Sequence, residues 1–491
     1  MPDDQRLGMV RYENVDGSYL EKRQLRRSAG WLLLWAMAVG GVISGFFTGW
    51  NTGLGAGGFG GLAVATVLMA VMYLCMVYSI AELSAALPHA GGFFSFTRSA
   101  FGPLGAFICG ISDTIEYVLA PVVVVVGIGG YLHGQLPGVP VYVWWVISYA
   151  LFVGINIRGV ALSLKVGLVI TVVAVVVLLV FFGGVMTTNT FRSELLFNIP
   201  SETNEDAGGW LPKGWFGVFA SLPFAIWFYL AIEQVPLAAE EAHDVAKDVP
   251  RALTWGIATV LVLSVFVLVL NPGVGDGAVA LAESIAPLED GFKAIFGNGH
   301  LTRVMTILAL SGLIATFTST IYAYGRVLFS LSRAGYIPRW ISITGKRHTP
   351  YVALILGGVV GLTCAVVIEV TGGDKEPVGA ALVNMAVFGA VISYAMVMVS
   401  FIKLRWSRPD MPRPYRSPLG VPGAVVGTVL SLVSLAACFA VRDYRPAVYG
   451  VTIFLAVSIL FFLLYSRHHL VAQAPEEEMA LLEEARKDLA P

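Results

Sequence analysis

Gly40-Gly41-Val42-Ile43-Ser44-Gly45 interrupts an apolar run that starts at Trp31. Pro223-Phe224-Ala225-Ile226-Trp227-Phe228-Tyr229, followed by Glu233, Gln234 and Pro236, interrupts a second one. Each stretch is long enough to cross a bilayer, yet each carries backbone that resists staying helical, through glycine entropy in the first and missing donors in the second. Non-helical backbone at membrane depth survives only where it is buried in protein or lines a cavity. Two such interruptions in corresponding positions of two halves point to a solute site near the bilayer midplane.

The rest of the chain fits that reading. Hydrophobic residues make up 57% of the 491 and charged residues 13%, with a mean hydropathy of +0.77. A search for apolar stretches of about 20 residues finds twelve spans, near 29–53, 60–86, 104–134, 140–157, 160–186, 214–240, 251–272, 300–331, 350–370, 379–403, 421–440 and 446–465. The expected fold class is an all-α polytopic membrane protein. If the interrupted spans are equivalent, spans 1–5 and 6–10 are repeats of odd length and so of opposite orientation, with two helices appended. The organisation is then a tail over 1–28, a ten-helix transport core over 29–403, a linker with helices 11 and 12 over 404–466, and a second tail over 467–491. With the first tail inside, 24 of the 31 Lys and Arg fall on its side, which predicts a multi-pass protein of the cell inner membrane with both termini cytoplasmic.

Outside the spans, Asn198 to Gly209 reads as a flexible loop, Ala278 to Ile285 as a short helix, and Pro475-Glu476-Glu477-Glu478 through Lys487 as an exposed charged helix. Cys75, Cys109, Cys364 and Cys438 all fall inside spans and imply packing rather than a disulfide framework. Neither H-E-x-x-H nor G-x-S-x-G occurs and the His make no metal cluster, so no enzyme, metal site or cofactor is expected. A channel would show a repeated pore-loop motif or ring-forming acids, which are not visible. The expected partners are a small-molecule solute and the lipid bilayer, without nucleic acid or an obligate protein.

Gly41, Gly45 and Gly49 recur at i, i+4 and i+8. They either let another helix approach closely or loosen the backbone so that helix ends aim their partial charges at a ligand. Trp227 and Glu233 would face apart on a continuous helix. An unwound segment lets the indole cap a pocket while the carboxylate points inward; the plain alternative for Trp227 is an interfacial belt. An intramembrane carboxylate is costly and suits a proton carrier. Asp113, Glu116, Tyr117 and Ala120 share one face of span 3. They could recognise a cation, with Tyr117 as a cation–π partner, or the acids could sit in water or pair with Arg303 or Arg326. Glu82 reads as structural, and His89 as part of a tight loop.

The chain resembles the amino acid–polyamine–organocation superfamily, which has the LeuT-type fold. The resemblance rests on the broken span 1, Ala81-Glu82-Leu83 to Pro88-His89-Ala90-Gly91-Gly92, Glu240-Glu241-Ala242 to Val249-Pro250-Arg251, Gly325-Arg326-Val327-Leu328 and Gly335-Tyr336-Ile337-Pro338. Trp50-Asn51, Met69 to Gly92 and Ile115-Glu116-Tyr117-Val118-Leu119 look like the ethanolamine permease group. The resemblance implies helices 1 and 6 broken, and a secondary transporter working by alternating access. It places a substrate site on Gly41, Ile43, Ser44, Gly45, Trp227 and Leu230, with Glu233 as the coupling acid; Phe46, and Asp113, Glu116 and Tyr117 from the reading of span 3, complete the expected site. The family's Gly-Ser-Gly triplet for a substrate carboxylate reads Ile43-Ser44-Gly45 here, which favours a substrate without one. The expected cargo is therefore a small protonated amine, ethanolamine foremost, imported with H+; a cationic or neutral amino acid is the alternative. Coupling to Na+ would draw on hydroxyls of span 8, notably Thr318 and Ser319.

Overall fold

The computed structural model describes residues 4–7, 9–201, 209–373 and 377–488. Its long helices are α1 (Trp31–Val42), α2 (Thr52–Ala86), α3 (Phe93–Gln135), α4 (Val141–Arg158), α5 (Val160–Thr187), α6 (Gly214–Ala225), α7 (Val245–Leu270), α8 (His300–Arg333), α9 (Tyr351–Val370), α10 (Pro377–Ser407), α11 (Gly420–Ala440) and α12 (Arg445–Leu464). Among the described residues eleven segments are long and apolar enough to cross a membrane; the twelfth, Trp31–Phe46, is shorter. Residues 202–208 of the loop expected to be flexible lie outside the described residues. The helix expected near Ala278 forms over Gly277–Ala282.

Apolar stripes decide which face meets lipid. On α5, Val169, Val172, Val176 and Leu179 are exposed, while Thr171, Ala174 and Leu178 are buried. An apolar face left open on an apolar helix is a lipid-facing one. The inner faces assemble a core in which α3 packs on α10 and α8, α2 on α6 and α7, and α1 on α7, α5 and α8. Two helices start earlier than hydropathy suggests. α2 runs from Thr52 through a kink at Gly58, and α3 from Phe93 through a kink at Gly102.

The tails differ from expectation. Residues Asp4–Leu7 (β1) and Val10–Glu13 (β2) pair antiparallel, and Leu470–Val471 (β3) adds to β2 in parallel, with Tyr12 opposite Leu470 and Glu13 opposite Val471. The helix Pro475–Asp488 that follows is not a solvated charged helix along its length: Glu476 and Glu477 are 1% and 0% exposed. They are buried because fixed cations and donors wait for them. Arg333 Nη2 donates to Glu476 at 2.7 Å, and Arg98 Nε donates to Glu477 at 2.7 Å. A buried carboxylate is tolerable when paired and hydrogen-bonded in this way.

Both tails lie on the face where the broken sixth span and α8 also end. There Glu240 pairs with Arg333, and Glu241 pairs with Arg326 at 2.8 Å and accepts a bond from Tyr322. Glu82 is held at the end of α2 by Arg405 at 2.6 Å and Arg413 at 3.0 Å, the structural role its place in the sequence suggests.

Candidate functional site

The two interrupted spans meet each other. After Ala225, α6 tightens into a single turn, Ile226–Phe228, and Ala231 then takes a left-handed φ of 77° before a second tight segment, Ile232–Glu241. Pro223 and Pro236 lack the amide that would continue the ladder. Glu233 completes the break by accepting the Ala231 amide on Oε1 at 3.0 Å.

In the first span the interruption falls one turn later than the glycine pair suggests. Gly40 and Gly41 stay in α1, and the chain tightens only over Ile43–Phe46. Gly45 is required by a close approach, since a Cβ there would sit 1.8 Å from the Trp227 carbonyl oxygen. The Trp227 indole lies on the backbone of Gly49, and the Phe228 ring sits 5.9 Å from Phe46 and 5.2 Å from Trp50.

Helix α8 stitches the breaks together. Thr316 Oγ1 accepts from the Ser44 amide at 3.0 Å and donates to the Gly40 carbonyl at 2.9 Å. Gln234 Nε2 donates to the Met37 carbonyl at 2.9 Å and to Ser319 Oγ at 2.8 Å, and Ser319 donates to the same carbonyl at 3.1 Å. Of the two hydroxyls singled out for a sodium ion, Ser319 thus reaches α1. Thr318 instead bonds Ile314 of its own helix at 2.8 Å.

Behind the break in α6 lie three carboxyl groups. Asp113, Glu116 and Glu233 are 2%, 0% and 1% exposed. Among the described residues, Asp113 Oδ1, both oxygens of Glu116 and Glu233 Oε2 make no hydrogen bond of ordinary geometry. Glu116 lies within electrostatic reach of both other acids and of Tyr394, and the Ser393 hydroxyl adjoins Asp113. Tyr73 and Tyr117 complete the surround, with Tyr73 donating to the Tyr394 hydroxyl at 3.2 Å. Arg326, one candidate partner for these acids, is committed to Glu241 instead. Buried carboxyl groups without a basic partner await a proton or a cationic guest to neutralise them.

The structure therefore brings Gly45, Phe46, Trp227 and Glu233 to one junction, and Asp113, Glu116 and Tyr117 beside it. Ile43 and Leu230 are buried at the two breaks, Ser44 is bonded to α8, and Gly41 closes on Gln234. Sequence reading assigned no role to Tyr73, Ser393 or Tyr394, and counted Thr316 only among the span 8 hydroxyls open to sodium. The signal was available, because every polar side chain deep in an apolar span invites the question of its partner.

The profile of the family described as amino acid permease matches residues 30–465. A branched-chain amino acid permease of Bacillus subtilis is 26% identical over 91% of this chain and 95% of its own. An aromatic amino acid transport protein of Escherichia coli is 23% identical over 88% and 94%. An L-asparagine permease of Streptomyces coelicolor is 26% identical over 82% and 81%. In architecture the chain is similar to a manganese transporter from Eremococcus coleocola, with a TM-score of 0.56 and 16% identity over 95% of this chain and 99% of the other. That likeness establishes the fold.

Proposed function

The chain belongs to the amino acid permease family, and from that premise we propose that it is a proton-coupled secondary transporter of amino acids, with a preference for a cationic one. The observation that carries the preference is the trio Asp113, Glu116 and Glu233, which puts four unpartnered carboxyl oxygens behind the broken α6. A substrate with a cationic side chain supplies the charge that this buried cluster lacks. The carbonyls freed by the breaks suit an α-ammonium, and Trp227 and Tyr117 supply walls. Phe46 lies at the same junction.

Coupling to protons rather than sodium is supported by Gln234. Its amide already occupies the acceptors of Met37 and Ser319 that an ion between α1 and α8 would use. Glu233 suits a proton carrier, since one oxygen is fixed by Ala231 and the other is free. The excess of Lys and Arg on the tail side supports placing that face in the cytoplasm of the inner membrane.

A second reading, ethanolamine or another small protonated amine, is favoured by one observation. The Ser44 amide, which would otherwise meet a substrate carboxylate, is taken by Thr316. Competition in proteoliposomes separates the two. The amino acid reading expects arginine, lysine or a neutral amino acid to compete well below the concentration at which ethanolamine does; ethanolamine competing alone would reverse the order. Uptake unaffected by all of them would sink both.

A further inference from the structure

The tail helix is held as a ligand is held. Glu477 is met by three donors from three distant parts of the chain: Arg98 at 2.7 Å, the Tyr12 hydroxyl at 3.0 Å and the Tyr336 hydroxyl at 2.6 Å. Arg98 also donates to the Tyr12 hydroxyl at 2.8 Å, so the β2 hairpin closes over the same contact. Glu476 sits on Arg333, whose guanidinium grips Glu240 at the end of the broken sixth span as well. The backbone is docked too. The Val471 amide donates to the Ala334 carbonyl at 3.0 Å, and Ser466 donates to the Tyr336 carbonyl at 2.6 Å. Gly335, at a φ of 89°, admits the His469 carbonyl oxygen to within 2.1 Å of where a Cβ would stand.

These anchors do not belong to one moving part. Arg98 is on α3, Arg333 and Tyr336 are at the end of α8, and Glu240 is on the broken sixth span. Alternating access rocks one group of helices against another around a fixed site. A segment that binds the tail-side ends of several at once opposes any motion that separates them. Desolvated ion pairs make that opposition strong, because parting them strands buried charge.

We propose that residues 470–488 are a tethered, autoinhibitory ligand of the transport core, whose two buried carboxylates lock its tail-side gate shut and must lift for the gate to open. The proposal rests on the transporter reading, and its tests are chosen so that the two can fail separately.

Gln473 Nε2 donates to Asn14 Oδ1 at 3.2 Å across an exposed part of the same junction. Asn14→Cys with Gln473→Cys, in a Cys364→Ser background, can therefore be bridged by a bis-maleimide that contains a reducible disulfide. Before bridging, every contact that holds Glu476 and Glu477 is intact. Bridging should slow lysine or ethanolamine uptake by about fivefold or more, and reduction should restore it. Bridged protein that transports at the unbridged rate overturns the proposal.

A chain ending at Ala474 should transport faster than the full chain. A synthetic peptide of residues 475–488 should slow it again, whereas the same peptide with both Glu476→Gln and Glu477→Gln should not. Equal action of the two peptides would overturn the role of the carboxylates.

A third readout needs no substrate. Ser95 is 1% exposed beneath the tail, next to Gly91, whose Cβ would stand 3.5 Å from Glu476 Cγ. Ser95→Cys should react slowly with a maleimide in the full chain and at least about fivefold faster when Glu476→Gln and Glu477→Gln are added. Identical rates would overturn the latch. Absence of uptake by every variant, wild type included, would refute the transporter reading while the labelling still decides whether the tail lifts.

Discussion

At the scale of single residues, the site is organised by what its acids lack. Glu116 has two unpartnered oxygens in a fully buried position. If a substrate ammonium supplies the missing charge, removing its partner should cost roughly 3–5 kcal/mol, an affinity loss beyond about a hundredfold. Glu116→Gln is expected to show that loss in binding titrations, and wild-type affinity in the variant would remove Glu116 from the site. Glu233 has a different task, since it both caps the break and keeps one oxygen free. Glu233→Gln retains an acceptor for the Ala231 amide, so the fold should survive while uptake driven by a pH gradient disappears and exchange continues. Undiminished uphill transport would assign the proton elsewhere.

A third residue sets an acid limit. Burial pushes His89, in the loop between α2 and α3, down to about 4 from an ordinary 6.5, with Glu240 opposing and Arg333 adding to the shift. The unfolded chain therefore binds a proton that the folded one refuses. Stability from this group is highest above the ordinary value and falls as pH drops from 6.5 towards 4. Thermal inactivation of a His89→Asn variant should quicken less over that window than that of the wild type; matching slopes would clear His89 of the effect.

At the scale of elements, the break in the sixth span was legible because Pro223, Pro236 and Glu233 are each hard to keep in an apolar helix. The place of the break in the first span was not. Gly40 and Gly41 are the more obvious interruption, yet both stay helical, and their nearest neighbours are the side-chain ends of Thr171 and Gln234. The tightening occurs where the Trp227 carbonyl presses against Gly45, a contact set by a residue far along the chain. Two substitutions contrast these causes. Gly45→Ala puts a methyl into backbone and should abolish transport and lower expression. Ala231→Gly relieves a left-handed alanine worth about 1–2 kcal/mol and should keep activity while raising thermal stability. A silent Gly45→Ala would mean that the two breaks do not meet in the working protein.

The acid trio was half visible at this scale. The spacing of Asp113 and Glu116 put both on one helix face, and Glu233 stood out as an intramembrane charge. That they face one another, with Tyr73 and Tyr394 around them, depends on how α3, α6 and α10 pack. No local pattern encodes that packing.

At the scale of the molecule, the span count anticipates the observed architecture closely. The tail was misread for an equally general reason. A run of glutamates looks solvated until its cations are known, and Arg98 and Arg333 are 379 and 143 positions away from theirs. Topology remains open to a direct check. Met9 is 65% exposed on the tail face, so Met9→Cys should react with an impermeant thiol reagent in inverted vesicles and not in intact cells. The reverse result would turn the whole bundle over.

The pairing of β2 with β3 also bears on how the protein is made. Residue 12 leaves the ribosome before any span has been inserted, whereas Leu470, its strand partner, follows the last of them. The hairpin must wait through the synthesis of the entire membrane domain for its third strand, and Arg98 must wait for Glu477. A nascent chain that stalls or is cut before that point can insert all its spans and still lack the carboxylates that finish its face. Completion of this small sheet therefore separates a chain that has been made past Val471 from one that has not.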